Sequence, residues 1–292
     1  MTKTCAATEQ FPTNLNRDLT TQELQSYHDD GAVVLRNVVP MVWIEHMRKA
    51  IQLILDNPGD ASMEYTPKNS KGRYYGDFFI WLRNNDFRAF IQNSALPEIA
   101  AKVFGSERVQ FFYDQLLVKE PGTREETPWH QDLPYWPVRG QDILSLWVPF
   151  DHANKQSGVV HYLKGSHKWG KKYAPSAFSK DSGFDETYAK MGLEPLPDME
   201  ALIKKHEVMC WDVEPGDIIL HHPLTLHYAP GNSSKTGRRR GLALRYLGDD
   251  AVYDDRPGTF MENPKIQAIL PKFSVSDGDK LPESLFPTVW PR

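Results

Sequence analysis

The second half of this 292-residue chain is a succession of short β-strand patterns, and this feature constrains the fold most. Each pattern is a few β-branched, aromatic or leucine residues long and is bounded by turn residues. The predicted strands cover 109–119, a run around His130, 143–150, 159–163, 218–222 and 241–247. Successive short strands without intervening helices favour a sandwich or a barrel.

The N-terminal third carries helical patterns instead. Thr20 and Glu23 have the spacing of a capping box, which predicts a short helix to Tyr27 that Gly31 ends before a strand. Apolar residues at helical spacing predict further helices over 42–55, 85–93 and 96–104. We expect these helices to pack outside the sheet.

Composition argues against several kinds of partner, cofactor site and membrane segment. A net charge of -4 gives no reason to expect a nucleic-acid or membrane partner. Two cysteines are too few for a disulfide framework or a thiolate zinc site. No stretch approaches the roughly 18 apolar residues of a membrane span. We therefore expect a soluble, cytoplasmic protein, and composition leaves its oligomeric state open.

The chain is predicted to consist of a flexible arm, residues 1–18, and one domain, residues 19–292. Within that domain, a helical and aromatic part (19–105) precedes the β core (106–250). The polar, proline-containing stretch 168–205 lies between predicted strands and is interpreted as an insertion. The tail, 251–292, is expected to wrap the surface.

A candidate metal site begins at residues 127–136, TPWHQDLPYW, which we interpret as an extended strand. Side chains two residues apart share one face of a strand, so His130 and Asp132 would point the same way. An imidazole and a carboxylate are two of the three ligands of the 2-His-1-carboxylate triad, which holds Fe(II) and leaves coordination positions open. A His-x-Asp pair alone is more often structural, so a second histidine is required.

Three histidines could complete the triad: His221, His222 and His227. His227 comes just before the turn at 230–232, which places it near the mouth of a barrel, and we prefer it for this reason. His221 and His222 lie on opposite faces of one strand, so at most one faces the pocket. Both are interpreted as packed or surface residues.

Arg238, Arg239 and Arg240 precede the predicted strand 241–247. An oxygenase that uses a keto-acid cosubstrate must anchor the far carboxylate of that acid. A guanidinium does so with two parallel hydrogen bonds, whereas a lysine supplies only a point charge. One of these arginines is the natural candidate, although an arginine run by itself is usually a solvated turn.

Several phrases of the sequence occur together in a known pattern. They are DDGAVVLR at 29–36, DQLLVK at 114–119, WHQDLPYW at 129–136, LWVP at 146–149, GSH at 165–167 and PGD at 215–217. With His227 and the arginines, they make the chain resemble the phytanoyl-CoA dioxygenase family of Fe(II)- and 2-oxoglutarate-dependent oxygenases. The resemblance runs from about Thr20 to Tyr246.

The resemblance implies a set of site residues. His130, Asp132 and His227 would bind the iron. Arg239 would bind the distal carboxylate of 2-oxoglutarate in a pocket lined by Trp147 and Gln115. The usual family spacing selects Arg238 instead, but aligning the following strand selects Arg239, and strand register fixes side-chain direction.

The same resemblance implies a fold and a reaction. The expected fold is a double-stranded β-helix, a cupin-like jelly-roll barrel that is mainly β with flanking helices. The expected cofactors are Fe(II), 2-oxoglutarate and dioxygen, and the expected reaction hydroxylates an aliphatic C–H of a small molecule with release of succinate and CO2. Asp132 argues against halogenation, because halogenating relatives have a small residue there. Desaturation, epoxidation and oxidative demethylation stay open, and a non-catalytic jelly-roll binding protein is a remote alternative.

Candidate substrate residues are Tyr75, Tyr135, Trp136 and Arg139. Tyrosine and tryptophan favour a substrate with an apolar or planar body, and Arg139 or Lys119 could meet an acidic group.

Overall fold

Three β-sheets and a set of helices form the secondary structure of the residues that the computed structural model describes, 11–176, 178 and 184–291. The helices are α1 (Thr21–Asp30), α2 (Met41–Asp56), α3 (Asn85–Asn93), α4 (Leu96–Phe104), α5 (Phe184–Tyr188), α6 (Met199–Ile203) and α7 (Pro264–Ile269). The strands are β1 (Ala32–Leu35), β2 (Met63–Glu64), β3 (Tyr74–Phe78), β4 (Val109–Lys119), β5 (Thr127–His130), β6 (Val138–Arg139), β7 (Ile143–Pro149), β8 (His161–Leu163), β9 (Val208–Met209), β10 (Ile218–His221), β11 (His227–Ala229), β12 (Arg239–Leu247), β13 (Val252–Tyr253) and β14 (Thr288–Trp290).

The chain crosses repeatedly between two antiparallel sheets. The larger sheet has the order β1-β10-β7-β12-β4-β3-β2, with β14 beside β4, and the smaller has the order β5-β11-β8-β9. Strands β13 and β6 form a separate two-stranded sheet. Strands that follow one another in sequence, such as β10, β11 and β12, therefore lie in alternate sheets. This is the predicted jelly-roll with flanking helices, and the prediction is confirmed.

Helices α1 to α4 cover the outer face of the larger sheet. Trp43 of α2 and Phe90 of α3 pack in one buried cluster with Leu116 of β4 and Leu244 of β12. Along β12, Leu242 and Leu244 belong to this outer cluster, whereas the intervening Ala243 packs between the sheets. The period of two thus divides each strand between a helix-covered face and an interior face. No helix in the described ranges is long and apolar enough to span a membrane.

The predicted start of α1 is confirmed in atomic detail. Thr20 Oγ1 accepts from the Glu23 backbone N–H (3.1 Å), and Glu23 Oε2 accepts from the Thr20 backbone N–H (2.8 Å). The helix continues to Asp30, beyond the predicted end at Tyr27, because Gly31 supplies the left-handed φ of +83° that ends it.

The described part of the predicted N-terminal arm is packed. Phe11 stacks on Trp43 with 4.2 Å between ring centroids, and Trp43 Nε1 donates to the carbonyl of Pro12 (2.8 Å). The prediction of a loose arm is therefore wrong for 11–18, and residues 1–10 lie outside the described ranges. Phe11 is an aromatic residue in an otherwise polar segment, and this is the feature of the sequence that indicates packing here.

The predicted strand 127–136 is shorter in the structure. Strand β5 ends at His130, and Asp132 has helical backbone angles, φ -74° and ψ -43°, before a 3-10 turn over Leu133–Tyr135. Pro134 lacks the N–H that a ladder requires, which is consistent with a turn at this point. Asp132 is therefore presented by a turn, and the two side chains do not converge through strand alternation.

Candidate active site

His130, Asp132 and His227 converge in the interior. One potential ligand atom from each lies within 4.8 Å of the others, and all three side chains are buried. His130 of β5 and His227 of β11 are register partners, with ring centroids 4.1 Å apart. Asp132 Oδ1 lies 3.6 Å from His130 Nε2 and 3.8 Å from His227 Nε2. Three donors at these distances can bind one cation.

Backbone carbonyls set the tautomers of both histidines. Nδ1 of His130 lies 2.8 Å from the Pro128 carbonyl, and Nδ1 of His227 lies 2.9 Å from the Thr225 carbonyl. A carbonyl only accepts, so each Nδ1 carries the proton and each Nε2 offers a lone pair. Burial and the neighbouring imidazoles hold the pKa of His227 well below its usual range. The ring is therefore neutral, as metal binding requires.

The two oxygens of Asp132 have different surroundings. Oδ1 faces the two imidazoles, whereas Oδ2 accepts from Ser145 Oγ (2.8 Å) and His221 Nε2 (3.1 Å), with Arg245 Nη2 4.0 Å away. Burial alone would raise the pKa of Asp132, but contacts with His130 and His221 and the charge of Arg245 hold it well below its usual range. The carboxylate is ionised, and Oδ1 is left for a cation.

His221 is a packed residue, as interpreted, and it is the one of the His221–His222 pair that faces this site. Its Nε2 donates to Asp132, and its Nδ1 lies 3.4 Å from the Tyr162 hydroxyl. Because Nε2 carries the proton, His221 orients the carboxylate and is not itself a candidate ligand. His222, on the opposite face, packs 5.1 Å from the ring of His167.

A second pocket adjoins the triad and contains Arg239 and Trp147. Arg239 is only 1% exposed; its Nη1 donates to the Leu117 carbonyl (2.9 Å), and its Nε has no partner among the described residues. The indole Nε1 of Trp147 is also buried without a partner in that part of the chain. Burial lowers the pKa of Arg239 to about 10, which keeps it charged at neutral pH. Two orphaned buried donors fit a bound carboxylate.

The neighbouring arginines lie elsewhere. Arg238 has a 34% exposed side chain that pairs with Glu120 (2.7 Å), and Arg240 pairs with Asp151 (2.6 Å). Of the three arginines, Arg239 alone lines the pocket, which supports the register argument for it.

Aromatic side chains line a pocket on the other side of the triad. Tyr135 and Trp136 belong to it, as expected, and segment 168–205 contributes Phe178 and Tyr188. Its other lining residues are Met63, Tyr65, Phe78, Tyr113, Ser176 and Phe260. Gln115, His130 and Asp132 line both this aromatic pocket and the pocket of Arg239. The two pockets therefore meet at the triad.

Tyr75 does not belong to the aromatic pocket, and its prediction as a substrate residue is wrong. Its hydroxyl donates to Asp77 Oδ2 (2.7 Å), and its ring packs in the outer cluster beneath the helices. Alternation along β3 turns Phe78 to the pocket instead.

The two cations proposed to meet an acidic substrate are both engaged elsewhere. Arg139 has a 42% exposed side chain that pairs with Asp277 (2.5 Å), and it does not line the pocket. Lys119 is buried, and its Nζ donates to the carbonyls of Ala229 (3.1 Å) and Pro230 (2.8 Å). Arg139, predicted as a substrate residue, and Lys119, predicted as a possible partner for an acidic group, are therefore both absent from the lining of the aromatic pocket, because each has a nearer partner.

Two site residues that the sequence analysis missed follow the strand period. Ser145 lies two positions before Trp147 on β7, and Arg245 lies six positions after Arg239 on β12. Residues at even spacing on a strand share a face, so the sequence itself indicates that Ser145 lies on the same face as Trp147 and Arg245 on the same face as Arg239.

Comparisons with known proteins agree with this geometry. A family model described as Phytanoyl-CoA dioxygenase (PhyH) matches residues 27–241. The peroxisomal phytanoyl-CoA dioxygenase of Homo sapiens is 28% identical over 269 residues, which cover 87% of this chain and 76% of that protein.

Solved structures share the fold. The epimerase SnoN in complex with Fe3+, alpha ketoglutarate and nogalamycin RO has a TM-score of 0.71 at 17% identity, covering 92% of this chain and 97% of that one. EctD from S. alaskensis with 2-oxoglutarate and 5-hydroxyectoine has a TM-score of 0.67 at 20% identity, covering 90% and 86%.

A jelly-roll with a buried His-Asp-His triad beside an arginine pocket defines a 2-oxoglutarate-dependent non-haem iron dioxygenase. Within that class, this chain belongs to the phytanoyl-CoA dioxygenase (PhyH) family. Iron and 2-oxoglutarate are its cofactors, as the sequence predicts.

Proposed function

We propose that this protein hydroxylates an aliphatic C–H of an uncharged small molecule. His130, Asp132 and His227 bind the iron in this proposal, and Arg239 and Trp147 bind 2-oxoglutarate. The observation that carries it is the pair of pockets that meet at the triad, one with orphaned buried donors and one lined by aromatic rings.

Bound iron and 2-oxoglutarate supply the activation of dioxygen, with release of succinate and CO2. The chain's own residues supply the rest. Ser145 and His221 hold Asp132 through its outer oxygen, so that a carboxylate occupies the third protein position and favours oxygen transfer over halogenation. The aromatic wall excludes water and positions the substrate against the triad.

The lining of the aromatic pocket supports an uncharged substrate. No lysine or arginine is present among its described lining residues, and Asp132 provides the negative charge. A substrate carboxylate or phosphate held against the wall of this pocket, away from the triad, would be buried without a lysine or arginine to pair with it, which costs several kcal/mol. Aromatic side chains favour an apolar or planar body instead.

The first experiment measures cofactor binding without substrate. Anaerobic addition of Fe(II) and 2-oxoglutarate to the wild-type protein is expected to produce the weak visible charge-transfer band of the chelate. His130→Ala and Asp132→Ala are expected to lose the band and substrate-dependent succinate formation. His152→Ala serves as the matched control, because His152 is half exposed and pairs with Glu214.

Product analysis then tests the reaction type. A screen of uncharged metabolites for succinate release is expected to find substrates whose products carry one added oxygen atom. Products with a new double bond or a lost methyl group would replace hydroxylation by desaturation or demethylation. A wild-type protein without the charge-transfer band, or full turnover by Asp132→Ala, contradicts the proposed function. A cytoplasmic location stays a prediction.

A further inference from the structure

Arg245 is a buried cation that the assignment of iron and cosubstrate ligands does not use. It is 4% exposed and lies on β12 in register with Ser145 of β7, which in turn is in register with His221 of β10. These three neighbours in one row across the sheet all approach the outer oxygen of Asp132. The row therefore forms the back wall of the triad.

The guanidinium of Arg245 is held in one orientation. Its Nη1 donates to the Ala243 carbonyl (3.2 Å), and its Nη2 donates to Gln115 Oε1 (2.9 Å). Its Cζ lies 4.5 Å from the ring centroid of Tyr113 and 5.8 Å from that of Trp136, so the planar group packs against two rings that line the aromatic pocket without lining it itself. Stacking and two hydrogen bonds leave it little rotational freedom.

This orientation determines what Gln115 offers to the substrate. A guanidinium can only donate, so the Gln115 oxygen must face Arg245 and the amide nitrogen must face away from it. Gln115 lines both the aromatic pocket and the pocket of Arg239. Tyr65 lines the aromatic pocket as well. Burial raises the pKa of Tyr65, and a hydrogen bond from the Gln115 amide partly offsets this, so one N–H faces Tyr65 and the second is left for a substrate.

We propose that Arg245 is a positioning residue that turns the N–H groups of Gln115 toward the aromatic pocket, and that the substrate carries an uncharged hydrogen-bond acceptor, such as a carbonyl or ether oxygen. This inference rests on the proposed function, since it assigns the aromatic pocket to the substrate. It narrows the substrate class from any apolar molecule to one with an acceptor oxygen.

The test compares two probes that differ only in an acceptor. Tetralin and 1-tetralone share a fused carbon skeleton, and 1-tetralone adds a carbonyl. Calorimetric titration under anaerobic conditions, with Fe(II) and 2-oxoglutarate bound, gives the Kd of each probe. The measured quantity is the ratio of the tetralin Kd to the 1-tetralone Kd, because general changes in packing affect both probes alike.

Gln115→Glu and Arg245→Met are expected to lower this ratio about five- to tenfold, the effect of one neutral hydrogen bond. Gln115→Glu keeps a partner for Arg245 but replaces donors by acceptors, so it tests the idea even if Arg245→Met does not fold. Arg245→Lys keeps the charge without the planar fork and is expected to fall between wild type and Arg245→Met. Arg238→Met removes a charge outside both pockets and should leave the ratio unchanged.

Three results would overturn the inference. Wild-type protein that binds neither probe contradicts the substrate class. A Kd ratio in Gln115→Glu equal to that of the wild type contradicts the role of the amide. If Arg245→Met lowers the Tm but leaves the Kd ratio unchanged, then Arg245 stabilises the fold and does not position Gln115. Failure of the proposed function is separate, since it appears as a missing charge-transfer band in the wild-type protein before any probe is added.

Discussion

Replacement of Arg239 by methionine tests the cosubstrate pocket directly. Met preserves much of the aliphatic volume but removes the charge and all N–H donors. In the structure, Nη1 of Arg239 is used by the Leu117 carbonyl, whereas Nε has no partner among the described residues. The Nε–Nη2 edge of the guanidinium is therefore the edge available for a bidentate bond to a carboxylate.

The size of the effect follows from that edge. A hydrogen bond to a charged group contributes about 1.5 to 3 kcal/mol, so two bonds at the lower end contribute about 3 to 4 kcal/mol. We expect Arg239→Met to raise the Kd of 2-oxoglutarate roughly 10² to 10³-fold. Arg239→Lys restores a point charge and one bond, and should recover about one order of magnitude of this loss.

The assay is an anaerobic titration of the Fe(II)-loaded protein with 2-oxoglutarate, followed by the visible charge-transfer band. Arg238→Met is the matched control, since Arg238 pairs with Glu120 outside the pocket, and its Kd should stay within about twofold of wild type. If Arg238→Met weakens binding and Arg239→Met does not, then Arg238 anchors 2-oxoglutarate and the pocket of Arg239 and Trp147 is not the cosubstrate site.

Two further predictions concern packing and protonation. Gly241→Ala would place a Cβ 2.5 Å from Nε1 of the Trp147 indole. We expect a loss of about 1 to 3 kcal/mol in unfolding free energy and a higher Kd for 2-oxoglutarate. An unchanged Tm and an unchanged Kd would contradict this prediction. Burial lowers the pKa of His222 to about 3, so the folded protein keeps this histidine neutral. As pH falls below about 6.5, the unfolded chain binds a proton at His222 that the folded protein does not bind, and the folded state loses stability. By pH 5 the metal-free protein should have lost about 2 kcal/mol of stability through this residue. Urea unfolding at pH 7 and pH 5 should show a correspondingly smaller loss for His222→Asn, whose Oδ1 can still accept from the Leu224 N–H, and equal losses would refute the assignment.

Much of the fold could be predicted from the sequence because its signals are local. The capping box of Thr20 and Glu23, the glycine that ends α1 and the helical spacing of α3 and α4 depend on residues a few positions apart. Short strand runs likewise mark β4, β7, β10 and β12. Residue chemistry and family phrases then predicted a His-Asp-His site, and the three side chains do converge.

The tertiary structure decided what surrounds those ligands. A period of two shows which strand residues share a face but not which face is interior, so Tyr75 was expected in the pocket that Phe78 lines. Arg139 was expected there for its charge, but Asp277, far away in sequence, binds it at the surface.

Asp132 shows the same division most clearly. The sequence by itself determined that a carboxylate follows His130 by two residues in a phrase typical of an iron site. Only the fold decided that Ser145, His221 and Arg245 surround its outer oxygen and leave the inner one to the imidazoles. Those partners come from three strands that are separated in the chain and adjacent in the sheet, and sheet adjacency is set by the packing of the whole core rather than by any local pattern.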